Sequence, residues 1–150
     1  FQGLPMDHPV MFAIVEAMAA HGMAALIHCY ANGDFESPWR LRRLAERFPR
    51  TQFFALDAMT TPENLEQLVA IAEVLDNVHI DLTSTLLGSR GIERAVRRVG
   101  AGRLVYGSNY YSMSRIGRVV ALDALEAADL DAEQKAAIRG GNARRLLGIG

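Results

Sequence analysis

The sequence has one cysteine, Cys29, so no disulfide can form within the chain, and that usage points to a reducing, cytoplasmic setting. It has no excess of either charge: the formal net charge is −1, which leaves no electrostatic footprint for nucleic acid. No apolar run reaches the roughly 18 residues that a membrane-spanning helix needs. No basic-then-apolar leader opens the chain. Lys135 is the single lysine, the other basic residues being arginine, a bias that reads as base composition rather than function.

What remains is one domain of 150 residues, half of them hydrophobic and long enough to bury a core. Its first residues, "FQG" (1–3), read either as the remnant of a protease site or as a start in mid-domain. Beyond them helices and strands alternate. "HPVMFAIVEAMAAHG" carries apolar residues at helical spacing (Val10, Ile14, Ala17, Met18) and closes on Gly22. "AALIHCY" follows as a short buried strand. "SPWRLRRLAERFP" opens with Ser37 as the expected N-cap and Pro38 at the first helical position. "TQFFALDA" is a second strand, and "TTPENLEQLVAIAEVL" a helix with a threonine cap and Leu65, Leu68, Ile71 and Leu75 on one face.

"VHIDLT" and "RLVYGS" (103–108) give two more strands, separated by the helix "SRGIERAVRRVG". The tail reads as two or three helices, broken near Asp131 and at Gly140-Gly141. Short apolar strands alternating with helices predict four β/α units on a parallel sheet, the α/β class. In such sheets ligands bind at the carboxyl ends of the strands.

Four side chains capable of chemistry stand at those ends: His28, Asp57, Asp81 and Asn109. Parallel strands lie about 4.8 Å apart, so neighbouring exits bring such groups to one ligand. Each has a plainer reading as well. His28 could be a hydrogen-bonded core residue, Asp57 and Asn109 could cap the following helices, and Asp81 could bond a nearby loop. His8 and His21 read as structural, and His79 is expected to face the helices.

The motifs "MAALIHCY", "LAERFPRTQFFALDAM", "LDNVHIDLTST", "RLVYGSNYYS" and "IRGGNARRLLGI", in that order, resemble the C-terminal half of the amidohydrolase-related family. These are metal-dependent hydrolases, decarboxylases and lactonases on a distorted (β/α)8, or TIM, barrel. The resemblance covers nearly the whole chain, about Leu4 to Ile149, and implies strands five to eight of the barrel followed by C-terminal helices. It implies a small carboxylated or cyclic substrate, and a divalent metal such as zinc or manganese. His28 matches a histidine that binds metal or polarises substrate. Asp57 stands where another histidine is usual, and Asp81 where a polar residue is common. In "VYGSNYY", Asn109 replaces the metal-binding aspartate of a Gly-Ser-Asp-Tyr-Pro motif, and Tyr111 its proline.

The expected metal ligands in this half are therefore His28 and Asp57, and the expected catalytic residues His28, Asp57 and Asn109, with loop Arg or Tyr side chains holding the substrate. An amide offers a metal only a neutral oxygen and cannot act as a general base, so the exchange at 109 weakens both roles. The remaining family ligands lie on a His-x-His or Glu-x-His strand, a motif this sequence lacks. A non-catalytic relative, binding a ligand or serving as scaffold, is the alternative. A family barrel runs to roughly 250 residues, so the apolar inner face of a half needs a missing N-terminal half or a second copy (a dimer) to cover it, unless the chain closes as a small open sheet with helices on both faces.

Overall fold

The computed structural model describes residues 3–30, 33–109, 114–115 and 118–149. The order of elements follows the alternation read from the sequence. Helix α1 (Pro9–Ala20) leads into β1 (Ala25–His28), then a 3-10 turn (Asp34–Glu36) and α2 (Pro38–Arg47). Strand β2 (Phe53–Leu56), α3 (Pro62–Ala72), β3 (Val78–Asp81), α4 (Gly88–Val99) and, after a second 3-10 turn at Ala101–Arg103, β4 (Leu104–Val105) complete the units. A short antiparallel pair, β5 (Ser114–Arg115) with β6 (Arg118–Val119), precedes the closing helices α5 (Val120–Ala127), α6 (Ala132–Ala136) and α7 (Asn142–Leu147).

The four main strands are parallel and adjacent in sequence order, β1-β2-β3-β4. Their register sorts the residues by face, because side chains alternate along a strand. Ile27, Ala55, Ile80 and Leu104 align across the sheet, and Ala25, Phe53 and Val78 align one pleat earlier. These residues pack into one apolar cluster with Leu41 and Leu44 of α2, Leu65, Leu68 and Ile71 of α3, and Ile92 and Ala95 of α4. Fully burying each large side chain stabilises the fold by roughly 1.5–3 kcal/mol, so this layer dominates the stability. The opposite face carries Leu26, Phe54 and His79 in one row, with His28, Leu56, Asp81 and Val105 towards the carboxyl ends. On that face Leu26 is 63% exposed.

Three buried asparagines tie chain segments together at the strand ends. Asn64 Nδ2 donates to the carbonyls of Cys29, Asp57 and Ala58, binding the exits of β1 and β2 to each other. Asn77 does the same at the entry end, donating to Ala45, Phe48 and Thr51. Asn142 donates to Ala101 and Leu104. Each satisfies carbonyls that would otherwise be buried without partners.

Several sequence expectations need correction. Helix α1 turns Val15 inward, with Phe12 and Met18 packed beside it, while Val10 and Ile14 are exposed, so its apolar residues form two stripes rather than one. Ser37 occupies the N-cap position of α2 without a side-chain capping bond, whereas Thr61 accepts from Asn64 N and caps α3. Asp131 begins α6 with a capping box to Gln134, as a break there requires. No break occurs at Gly140-Gly141: a π-helical turn (Ala137–Gly141) continues into α7. That turn frees the Ile138 carbonyl, which accepts from Tyr106 N at 3.0 Å. The fourth strand accordingly ends at Val105 although its apolar run extends further. His79 lies on the face away from the helices, stacked on Phe54 with ring centroids 5.5 Å apart. Of the loop tyrosines, any of which is expected to be able to hold substrate, Tyr110 and Tyr111 lie outside the described residues.

Candidate active site

The carboxyl ends of the strands bring the expected residues together. His28 is the last residue of β1, Asp57 follows β2, and Asn109 stands four residues beyond β4. His28 Nε2 lies 2.6 Å from Asp57 Oδ2. The other oxygen of that carboxylate, Oδ1, accepts the hydroxyl of Ser84, and Asn109 Nδ2 donates to Ser84 Oγ at 2.8 Å and to Asp57 Oδ1 at 3.4 Å. On its far side, His28 Nδ1 meets Glu36 Oε2 at 2.7 Å. The result is one connected row, Glu36–His28–Asp57–Ser84–Asn109, crossing the rim from the first strand to the fourth.

The backbone is bent to make this row. Asp57, Ser84 and Asn109 have φ of 56°, 56° and 42°, and they are the non-glycine residues with positive φ among those described. Such conformations cost of order 1–3 kcal/mol each and persist where the surroundings over-determine them. Here the surroundings are each other's hydrogen bonds. Asp57 does not cap the helix that follows it, a role Thr61 takes, and the side chains of Asp57 and Asn109 turn across the sheet.

Asp81, the last residue of β3, lies beside the row. Its Oδ1 accepts from Thr83 N at 2.6 Å, and the carboxylate rests against Gly107, where a β-carbon would overlap both it and the Thr83 hydroxyl. Burial, helped by the nearby Asp57 charge, pushes the Asp81 carboxyl up to about 7, while the Thr83 bond opposes the shift. The plainer reading of Asp81 as a loop anchor is partly met by that bond. Cys29 is buried behind the rim, and burial pushes its thiol far above the usual range, so it is inert.

Glu36 and Ser84 are the contributors that sequence reasoning missed. Both sit in strand-to-helix loops, eight residues from His28 and three from Asp81, where no periodicity marks a particular residue. The loop lengths were the only available signal.

As a metal site this donor set is thin. His28 Nε2 and Asp57 Oδ2 are two donors already in contact with each other, and among the described residues no group of three His, Cys, Asp or Glu side chains could hold an ion. Catalytic metal sites take about three protein ligands. The described residues of this chain alone do not fit a divalent metal.

Comparison with known proteins places this geometry. An amidohydrolase family model matches residues 1–149. No curated protein matches in sequence. Among solved structures, 5-carboxyvanillate decarboxylase LigW from Sphingomonas paucimobilis is 19% identical, with 99% of this chain and 56% of that chain covered and a TM-score of 0.70. A dihydroxybenzoic acid decarboxylase from Polaromonas sp. JS666, solved with manganese and the inhibitor 2-nitroresorcinol, is 15% identical, with 97% and 56% covered and a TM-score of 0.70. An uncharacterised TIM-barrel protein from Bordetella bronchiseptica is 15% identical, with 97% and 53% covered and a TM-score of 0.73. At these identities the likeness is one of fold, and this chain spans a little over half the length of each. Its four β/α units are consecutive units of a (β/α)8 barrel, and the chain belongs to the amidohydrolase family.

Proposed function

We propose that this chain is the C-terminal part of an amidohydrolase-family hydrolase or decarboxylase acting on a small carboxylated or cyclic substrate. The observation that carries the reading is the contact of His28 with Asp57 at adjacent strand exits, tied through Ser84 to Asn109. Two of the three similar structures are decarboxylases of hydroxylated aromatic acids, which supports the decarboxylase branch.

Within that reading the chain's own residues do the following. Asp57 and His28 form a pair between which a proton can pass, Asp57 Oδ2 to His28 Nε2. Breaking a carbon–carboxylate bond leaves electrons on carbon that must be met by a proton, and hydrolysis needs one drawn from water. The pair is placed to serve either need. Ser84 and Asn109 hold the second Asp57 oxygen, so the carboxylate presents one face only. Asn109, as a neutral donor, orients without exchanging a proton. A zinc or manganese ion would need further ligands from outside these residues, and no step is assigned to it.

The direct test is turnover: carbon dioxide released from hydroxybenzoates, or acid from lactones, by the protein and by His28→Asn. Loss of about 100-fold or more in kcat supports the reading, and full activity in the variant overturns it. A catalytically degraded relative is favoured by one observation, the amide at 109. Divalent-ion binding by calorimetry, before and after Asn109→Asp, separates the two. A gain in affinity marks an altered metal centre, and no gain together with no turnover favours a ligand-binding or scaffold role.

A further inference from the structure

An imidazole held at one nitrogen alone is free to turn over about its Cβ–Cγ bond and exchange the positions of its ring atoms. His28 is held at both. Asp57 takes Nε2, and Glu36 takes Nδ1 at 2.7 Å. The two partners differ in what else holds them. The Asp57 carboxylate is already fixed by Ser84 and Asn109. Glu36 rides on the 3-10 turn Asp34–Glu36, and that turn is braced from outside the site. Arg40 donates through Nε to the Asp34 carbonyl and through Nη2 to the Asp34 carboxylate, both at 2.6 Å. The same guanidinium donates to Asp7 at 2.5 Å, and Met6 N donates to the Phe35 carbonyl at 2.8 Å. The residues on the N-terminal side of Glu36 are thereby pinned to α2 and to the segment ahead of α1, so the carboxylate stands in place before anything binds.

We propose that Glu36 is the positioning residue of the centre: it accepts the Nδ1–H of His28 and fixes the ring so that Nε2 faces Asp57. The bond made at one ring nitrogen sets the role left to the other. A ring so fixed keeps Nε2 at the one place where it meets both the Asp57 carboxylate and the mouth of the rim. Without Glu36 the Nδ1 side of the ring loses this acceptor, and Asp57 alone of the pair of carboxylates still engages the imidazole, at Nε2. The assignment deepens the proposed function and rests on His28 being its working group.

The test is nitrogen-15 NMR of the histidines in the whole 150-residue chain. With Glu36 as acceptor, the parent protein is expected to show the His28 Nδ1 carrying a proton. Glu36→Ala is expected to move both His28 ring nitrogens, Nδ1 towards its unprotonated shift with the proton favoured at Nε2 beside Asp57, while His79, bonded to Gln52 Oε1 at 2.7 Å, stays where it was. Glu36→Gln keeps an oxygen acceptor but loses its charge, so Nδ1 stays protonated while its proton resonance moves upfield. His28 shifts unmoved in Glu36→Ala overturn the assignment. Should that variant unfold, an unchanged spectrum in Glu36→Gln overturns it alone. A protein with no turnover on hydroxybenzoates or lactones would sink the proposed reaction and leave these shifts as expected. An active enzyme with unmoved shifts would sink the role of Glu36 only.

Discussion

The two ends of the sheet are built with the same device and used differently. At the entry end Asn77 gathers three backbone carbonyls, and at the exit end Asn64 gathers three more. Around Asn77 stand His79 bonded to Gln52, and Arg103, which donates to the carbonyls of Leu75 and Val78 and pairs with the exposed carboxylate of Asp76. Around Asn64 stand carboxylates, an imidazole and the backbone with positive φ. Strand β3 carries the contrast within itself, with His79 near one end and Asp81 at the other, on the same face. Burial and the charges of Arg103 and Arg145 hold the His79 ring down to about 4, while burial raises Asp81 to about 7. One scaffold thus supports an end built for stability and an end where strain and buried charge are gathered.

The sharpest way to break this comparison is at the exit. Asp57→Asn keeps the shape of the row but removes the proton acceptor, and we expect turnover to fall by about 10²–10⁴-fold with the circular dichroism spectrum unchanged. Gln52→Ala, at the entry end, should leave turnover within a few-fold. An equal loss in both would mean that the ends are not functionally distinct.

The paired asparagines come next. Asn77→Ala and Asn64→Ala each leave buried carbonyls without a donor, and each should cost about 2–3 kcal/mol in urea unfolding. Only Asn64→Ala should also lower turnover, because it unties the exits that carry His28 and Asp57. Gly107→Ala drives a β-carbon into the Asp81 carboxylate, with an expected loss of about 2 kcal/mol, whereas Gly102→Ala, whose β-carbon meets only the Arg145 guanidinium at 4.0 Å, should be near neutral.

The effects of pH have opposite signs at the two ends. His79 titrates at about 4 when folded against a reference of 6.5, so the unfolded chain binds more protons between these values and stability falls as pH drops through them. Asp81 titrates at about 7 when folded against 3.8, so the folded chain binds more protons there and stability falls as pH rises through that window. Each slope is at most about 1.4 kcal/mol per pH unit. Because the two windows overlap, the slopes largely cancel in the parent: between about pH 4 and 6.5, stability should fall as pH rises in His79→Gln and rise with pH in Asp81→Asn, and any crossing of these assignments would overturn the contrast.

How far the sequence speaks differs between scaffold and site. The alternation of strands and helices, the parallel sheet, and the grouping of His28, Asp57 and Asn109 were legible, because short apolar runs between capped helices leave few arrangements. The inward face of α1 was not legible, since that helix is apolar on nearly every side and periodicity cannot choose between its stripes. The end of β4 was not either: Val105 and Tyr106 look alike as strand residues, and only the carbonyl released by the π turn takes the Tyr106 amide away from the ladder.

The sequence by itself determined the order and type of the elements and which side chains stand at strand exits, because hydrophobic period and capping residues are local properties of the chain. Tertiary structure decided the rest of the site. Glu36 and Ser84 enter through loops, whose course is set by distant anchors such as Arg40 with Asp7. The left-handed turns at Asp57, Ser84 and Asn109 exist only because each is held by the others across different strands. Bonds between residues 25 and 52 positions apart follow from the packing of the sheet, not from any pattern along the chain.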